Sequence, residues 1–430
     1  MNKLTQLQIF SGIFYFHLST TSRFLTSFQV SLGLSSSSIG VILGSMRLMT
    51  SLASPMISSF SDSRKVHRTV MLCQTFFRQL PFLVLWALHA FDKVSFLELA
   101  ILVSLSTLTG AGIGAISDSL ILASLSDKVM YGRVRMWGAL CYGLGNFLVG
   151  LSVHFTGNYY PMFACSLGSF ALCVIVIYTV LPAYTNSIKP RHAITFKSVA
   201  KVLTDSWSTM AFFTHAIVFG AAMALIESLL FVAMARAMRG SSSLIMGASV
   251  LLGIAFELPL LHLAPFFLRT LGTKKMILLA SCAWMVRATG YFFFSSAWVV
   301  LVLELFQGIS FGLYRSASVQ ICVEHSPVGM ECTVLALLDA TYGGIGVAAG
   351  SIGGGYLFEW IGPKYTYLAF IVLVGLFTAL LCIVFREHTE ADIADETKSA
   401  ESLACTPHAI AINEFVGDGR NSPASTAHRV

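Results

Sequence analysis

Phe60-Ser61-Asp62-Ser63-Arg64-Lys65-Val66-His67-Arg68 separates two long apolar runs, and Leu268-Arg269-Thr270-Leu271-Gly272-Thr273-Lys274-Lys275 separates two more in the second half of the chain. Each is a tight basic turn. A spanning helix needs about 20 mostly apolar residues, and hydropathy places twelve such runs at 4–31, 39–61, 70–90, 95–126, 134–154, 160–182, 209–235, 243–267, 275–295, 297–322, 332–355 and 364–385. The two turns follow the second and the eighth run, the same place in each half. The chain therefore reads as an all-α integral membrane protein of twelve transmembrane helices in two pseudo-symmetric six-helix bundles. Its predicted parts are 1–182, a cytoplasmic linker 183–206, a second bundle 207–386, and from Glu387 a polar, non-periodic tail 387–430 read as disordered.

Composition agrees. Of 430 residues 56% are hydrophobic and 11% charged, against roughly 25% charged in a soluble domain, which excludes a cytosolic enzyme and a disordered chain. The net charge of +6 carries no nucleic-acid partner, because the excess is sided. Thirteen Lys and Arg fall in or beside the loops on the amino-terminal side, against Lys93, Arg236, Arg239 and Lys364 opposite. This asymmetry predicts both termini in the cytoplasm; plasma membrane and organelle are not distinguished. The first run lacks a small-residue cleavage site and reads as a retained helix. Nine Cys without a CxxC pair imply neither a metal site nor a disulfide framework, and no cofactor is predicted.

Eleven charged groups lie inside the predicted spans: Arg23, Arg47, Arg78, Arg135, Arg287 and Arg315 with Asp118, Glu227, Glu257, Glu304 and Asp339. Each costs at least ~2.5 kcal/mol near the bilayer centre, so such groups face a cavity or one another. Asp118 and Arg135 fall at comparable depth on consecutive helices, where a guanidinium fork and a carboxylate suit hydroxyl or carboxylate ligands; a structural lock is the alternative. Glu257 and Arg287 form a second candidate pair. There the apolar surroundings and the Arg287 charge act in opposite senses on the protonation of Glu257, the condition for a proton switch. Glu227, with His215 earlier on its helix, is a weaker addition. His17 and His262 read as hydrogen-bonded packing residues. The glycines at 343–355, 110–114 and 308–312 read as close helix packing rather than nucleotide loops. No Walker A sequence, His-Glu-x-x-His or nucleophile elbow is present, so an ATP-driven pump and a membrane enzyme are disfavoured.

These residues resemble the major facilitator superfamily, within it the lactose permease-like sugar symporters and the related facilitator-like (MFS_1-like) proteins, from about Lys3 to Arg386. Asp62, Arg64 and Arg68 resemble its gating-loop motif, with Ser58 and Lys65 where its glycines are usual. Tyr131-Gly132-Arg133-Val134-Arg135-Met136-Trp137-Gly138, with Asp118 upstream, resembles the permease segment carrying the sugar-binding arginine and the essential acid. Phe256-Glu257-Leu258-Pro259, the second basic turn and Met285-Val286-Arg287 resemble the half that couples protons to substrate. The resemblance implies Asp118, Arg135, Tyr142 and Arg287 as substrate-binding residues, Tyr142 as the aromatic against which a sugar ring packs. It implies Glu257, Glu227 and Glu304 as proton-coupling candidates. Gln307 and Ser310 stand where the permeases carry the histidine and glutamate of proton translocation, which leaves Glu304 or Glu257 to substitute. The expected function is secondary active transport of a small polar solute, sugar or nucleoside-like, by alternating access, with protons as a candidate coupling ion. The alternatives are an uncoupled facilitator and a non-transporting membrane receptor on the same fold.

Overall fold

The computed structural model describes residues 2–125, 130–181, 207–237, 242–293, 297–324 and 331–404. The linker predicted at 183–206 lies outside the described residues, and so does 405–430; of the tail read as disordered at 387–430, residues 387–404 instead continue the last helix. The first half contains α1 (Lys3–Ser22), α2 (Phe24–Ser31), α3 (Ser36–Arg64), α4 (His67–Ala90), α5 (Phe96–Thr109), α6 (Ile113–Ser124), α7 (Tyr131–Thr156) and α8 (Tyr160–Val180). The second contains α9 (Trp207–Glu227), α10 (Leu230–Ala237), α11 (Ser242–Phe292), α12 (Ala297–Glu304), α13 (Tyr314–Glu324), α14 (Glu331–Leu338), α15 (Val347–Trp360) and α16 (Gly362–Ala404). Wide π-helical turns at Gly308–Leu313 and Asp339–Gly346 join α12 to α13 and α14 to α15. No strand occurs among the described residues.

Among the described residues ten helices are long and apolar enough to cross a membrane, against twelve predicted. One of the ten, α11, bends at Gly272 and holds two predicted spans. The first predicted span is not among the ten, because α1 and α2 interleave Thr, Gln and Ser with their apolar residues. The two basic turns match in position and in a positive φ, but not in conformation. Lys65 ends α3 in the left-handed helical region at φ 55° and ψ 32°, whereas Gly272 separates the limbs of α11 at φ 74° and ψ 166°. Glycine enters positive φ freely, whereas a residue with a Cβ does so at a cost of about 1–2 kcal/mol. Elsewhere helix starts follow local chemistry: the Ser35 side chain accepts from Ser38 N, and Ser95 with Glu98 forms a capping box.

The Lys3 Nζ donates to Val180 O and Arg68 Nη1 to Leu181 O, so the starts of α1 and α4 and the end of α8 share one face, the amino-terminal face. At the opposite face the two bundles close on each other. Gly40 and Gly44 of α3 press against Ser351, Ile352 and Gly355 of α15, and Gly150 of α7 against Ser243 and Gly247 of α11. Small residues here let backbones approach closely, so the glycines of 346–355 do pack helices as expected. Arg236 Nη2 donates to Leu34 O at 3.0 Å, Ser37 N to Glu359 Oε2 at 3.2 Å, and Phe24 stacks edge-on against Phe231. One apolar core runs through both bundles; a second, around Phe10, Phe14, Met71, Leu120 and Ile177, belongs to the first bundle alone.

The glycines of 110–114 depart from the packing expectation. Gly112 is left-handed (φ +78°) and, with Gly110 and Ala111, breaks the predicted span 95–126 into α5 and α6. Gln74 Nε2 donates to the freed carbonyl of Ala111 at 2.6 Å. The spans of α1–α2 and α9–α10 are interrupted too, at Arg23 and after Glu227.

Candidate functional site

Between the bundles lies a cavity of about 300 Å³, lined from the first half by Tyr15, Arg23, Arg135 and Tyr142 and from the second by Glu227, Ser249, Glu257, Arg287, Glu304, Gln307 and Phe311, among others. Most of the charged groups singled out in the sequence thus face one space. The small-residue seams close it toward the face opposite the amino terminus.

On the first bundle, α7 carries Arg135 in its second turn and α6 carries Asp118 behind it. Arg135 Nη1 stands 3.9 Å from Asp118 Oδ1, a loose contact between partly exposed side chains. Tyr15 of α1 joins the two: its ring lies under the guanidinium, 4.1 Å from carbon to centroid, and its hydroxyl donates to Asp118 at 3.5 Å. A guanidinium over an aromatic face is held in orientation while its N–H edge stays open. Arg135 Nη1 has no hydrogen-bond acceptor. Tyr142, two turns along α7, lines the same wall and shares a hydrogen bond of 2.8 Å with Ser22. Beyond it Arg23 reaches across to Glu227 of the other bundle at 4.0 Å.

The second bundle corrects the pairing expected between Glu257 and Arg287. Arg287 Nη2 donates to Glu304 Oε1 at 2.6 Å, Nη1 donates to Gln307 Oε1, and Tyr291 Oη donates to the same Glu304 oxygen at 2.7 Å. Arg287 is 1% exposed. The reason is helix rotation: the 304 and 307 positions lie one turn apart on the neighbouring helix and face the second limb of α11, whereas Glu257 sits on its first limb and points to the cavity. Glu304, offered from sequence as a substitute proton site, is occupied as the counterion of Arg287. Gln307 is bound in the same cluster, and the Ser310 hydroxyl donates to Phe306 O at 2.9 Å within its own helix. Glu257 itself forms no hydrogen bond or ion pair among the described residues.

Asp62, Arg64 and Arg68 are not part of the cavity. Asp62 Oδ1 bonds His67 Nε2 at 2.7 Å, and Arg68 donates to Tyr178 O and Leu181 O, bracing the amino-terminal face of the first bundle. His215 is a packing residue, bonded to Tyr314 Oη and Thr378 Oγ1; His17 is bonded to Ser169. Arg315 and Asp339 pair at 2.6 Å between the two π-turns, away from the cavity lining. Sequence reasoning missed Tyr15, which carries no charge and sits in an unremarkable aromatic run, and the Arg23–Glu227 contact, whose partners lie 204 residues apart on different bundles.

The chain is similar to known proteins. The family model described as "MFS_1 like family" matches residues 4–369. The maltose permease of Geobacillus stearothermophilus is 26% identical over 84% of this chain and 89% of its own length. An uncharacterised transporter, YwbF, of Bacillus subtilis (strain 168) is 24% identical over 64% of this chain and 68% of its own. A crystal structure of the nucleoside transporter NupG superposes with TM-score 0.78 at 15% identity, covering 89% of this chain and all of that one. Spanning helices, two facing bundles and a match over most of the length make the chain a multi-pass membrane transporter, not an enzyme, and a member of the MFS_1-like family of the major facilitator superfamily.

Proposed function

We propose that the protein moves a small polar, hydroxylated solute, a sugar or nucleoside, across its membrane by alternating access. The observation that carries this reading is the facing of Arg135, loosely held by Asp118, and a partnerless Glu257 carboxylate from opposite bundles of one cavity. Charged groups turned into such a cavity without a firm protein partner are costly unless a ligand or water completes them. A volume of about 300 Å³ is at the lower end of small-molecule sites, which run from roughly 300 to 1,000 Å³. The names of a maltose permease and a nucleoside transporter among the similar proteins support hydroxyl-rich cargo.

In this reading Arg135 donates to substrate hydroxyls, Asp118 and Tyr15 hold it in place, and Tyr142 offers its ring to the apolar face of the solute. Glu257 accepts from the other side. Proton coupling, where it operates, runs through Glu257, because Glu304 is committed to Arg287. With the termini in the cytoplasm, as the loop charges favour, the closed seams leave the cavity on the cytoplasmic side, the state from which solute is released.

The test is uptake by the purified protein in proteoliposomes, over a panel of sugars, nucleosides, amino acids and organic anions chosen by ligand-induced thermal stabilisation. Sugars or nucleosides should stabilise and be taken up, and Asp118→Asn should abolish uptake while the protein still inserts and folds. An inward proton gradient should drive accumulation, and Glu257→Gln should leave exchange or downhill flux only. Uptake indifferent to the gradient and to Glu257→Gln marks a facilitator. Stabilisation without uptake marks a receptor, and normal uptake by Asp118→Asn removes the site assignment.

A further inference from the structure

The interior-facing stripe of α4 is Met71, Thr75, Arg78, Phe82 and Leu85, spaced as one helix face; the four neighbours of Arg78 on it are buried, while Phe76, Phe77, Leu80 and Val84 point outward. Arg78 lies midway along a 24-residue spanning helix and is turned to the inside of the first bundle. Snorkelling to the interface is not open to a side chain so placed, and a cation at this depth needs a counter-charge. Among the described residues its guanidinium makes no hydrogen bond, ion pair or ring contact. Its electrostatic neighbours are Tyr142, Cys173 and His17, none of them a carboxylate. Its backbone carbonyl is fixed by Ser106 Oγ at 2.9 Å, and its stem lies on Gly110, where a Cβ would come within 2.8 Å of Arg78 Cδ. The glycine break between α5 and α6 thus makes room for this side chain.

The second half of the molecule shows what such a guanidinium takes. Arg287 occupies the corresponding helix, the one that follows the basic turn, and faces the corresponding next helix, also interrupted in mid-membrane. There the carboxylate of Glu304 and the amide oxygen of Gln307 fill it. The first half has the same helix pair and the same interruption but Ser106 and Gly110 in place of an acid.

We infer that Arg78 binds a small monovalent anion, chloride or a carboxylate, at the place where the second bundle supplies the carboxylate of Glu304. This site lies within the first bundle, apart from the cavity proposed to hold the solute, and Tyr142 stands between them. The anion completes the charge balance of the first bundle, so its loss loosens the helices that present Tyr142 and Arg135.

The experiment uses the full-length protein in detergent, with thermal unfolding followed as sodium isethionate, a bulkier sulfonate, is replaced by sodium chloride or sodium formate at constant ionic strength. A saturable rise of a few degrees is expected with chloride or formate; a response to chloride alone assigns a halide site, one to formate a carboxylate site. Arg78→Gln should abolish the rise. Ser106→Glu, which tethers a carboxylate beside Arg78, should melt in isethionate near the chloride-bound midpoint and respond to neither anion, and it decides the matter if Arg78→Gln does not fold. Equal midpoints in all three salts overturn the proposal. So does an undiminished rise in Arg78→Gln or in Ser106→Glu.

Discussion

Two arginine–carboxylate pairs flank the central cavity, one from each bundle, and they are built differently. Arg287 and Glu304 meet at 2.6 Å with side chains 1% and 8% exposed, and Tyr291 and Gln307 bond into the same cluster. Arg135 and Asp118 stand 3.9 Å apart with side chains 43% and 32% exposed, and one guanidinium nitrogen has no acceptor. The same two residue types serve as a lock in one bundle and as an open hand in the other. Exposure and spare donors, not the presence of opposite charges, separate a structural pair from one that can exchange its partner for a ligand.

Breaking the lock should have the largest effect. Arg287→Ala leaves the Glu304 carboxylate buried without its cation, and removal of one partner from a buried pair costs ~3–5 kcal/mol. Thermal unfolding in detergent should fall sharply, and the double change Arg287→Met with Glu304→Leu should recover most of the loss. If the single variant melts like the parent, the pair is not a lock. On the open side, Arg135→Lys keeps the charge but loses the planar fork over Tyr15. Solute affinity should weaken by about ten- to a hundred-fold, the equivalent of ~1.4–2.8 kcal/mol, with the melting midpoint nearly unchanged. Titration calorimetry and unfolding on the same sample separate the two.

The Arg23–Glu227 contact is a third pair, loose at 4.0 Å and strung between the bundles. Partly exposed ion pairs contribute ~0.2–1 kcal/mol, so Glu227→Gln should shift the balance between closed and open seams by no more than about five-fold. Alkylation of a cysteine placed at Ser249, read from each side of a vesicle, would report it. The smallest effect is expected at the first basic turn. Lys65→Gly relieves a left-handed residue and should stabilise the protein by ~1 kcal/mol, unless the contacts of the Lys65 side chain offset the gain.

Much of this was legible before the fold was known. The apolar runs and the paired basic turns announce two bundles because lipid permits little else, and the repeated turn keeps a residue of positive φ in both halves, Lys65 in one and Gly272 in the other, with different ψ. Asp118 and Arg135 could be matched because a short turn links their helices and fixes their depths. The partner of Arg287 could not, since Glu257 and Glu304 both lie within reach along the chain and only the rotation of each helix about its axis selects Glu304. The break at Gly112 was equally hidden: glycines that pack helices and glycines that end them look alike in a sequence, and only a positive φ distinguishes them.

The seams opposite the amino-terminal face join backbone to backbone, with Gly40 against Ser351 and Gly355, and Gly150 against Ser243 and Gly247. At Gly40 the nearest atoms are all backbone, and at Gly150 only the Phe24 ring adds a side chain, so little is free to move aside for an added one. Such a junction behaves as a zip with a single weak tooth on each side, and a bulky residue there acts as a wedge. Gly40→Trp or Gly150→Trp would hold the bundles apart at this end, offering a molecule stalled in the opposite half of its cycle as raw material for selecting conformation-specific binders.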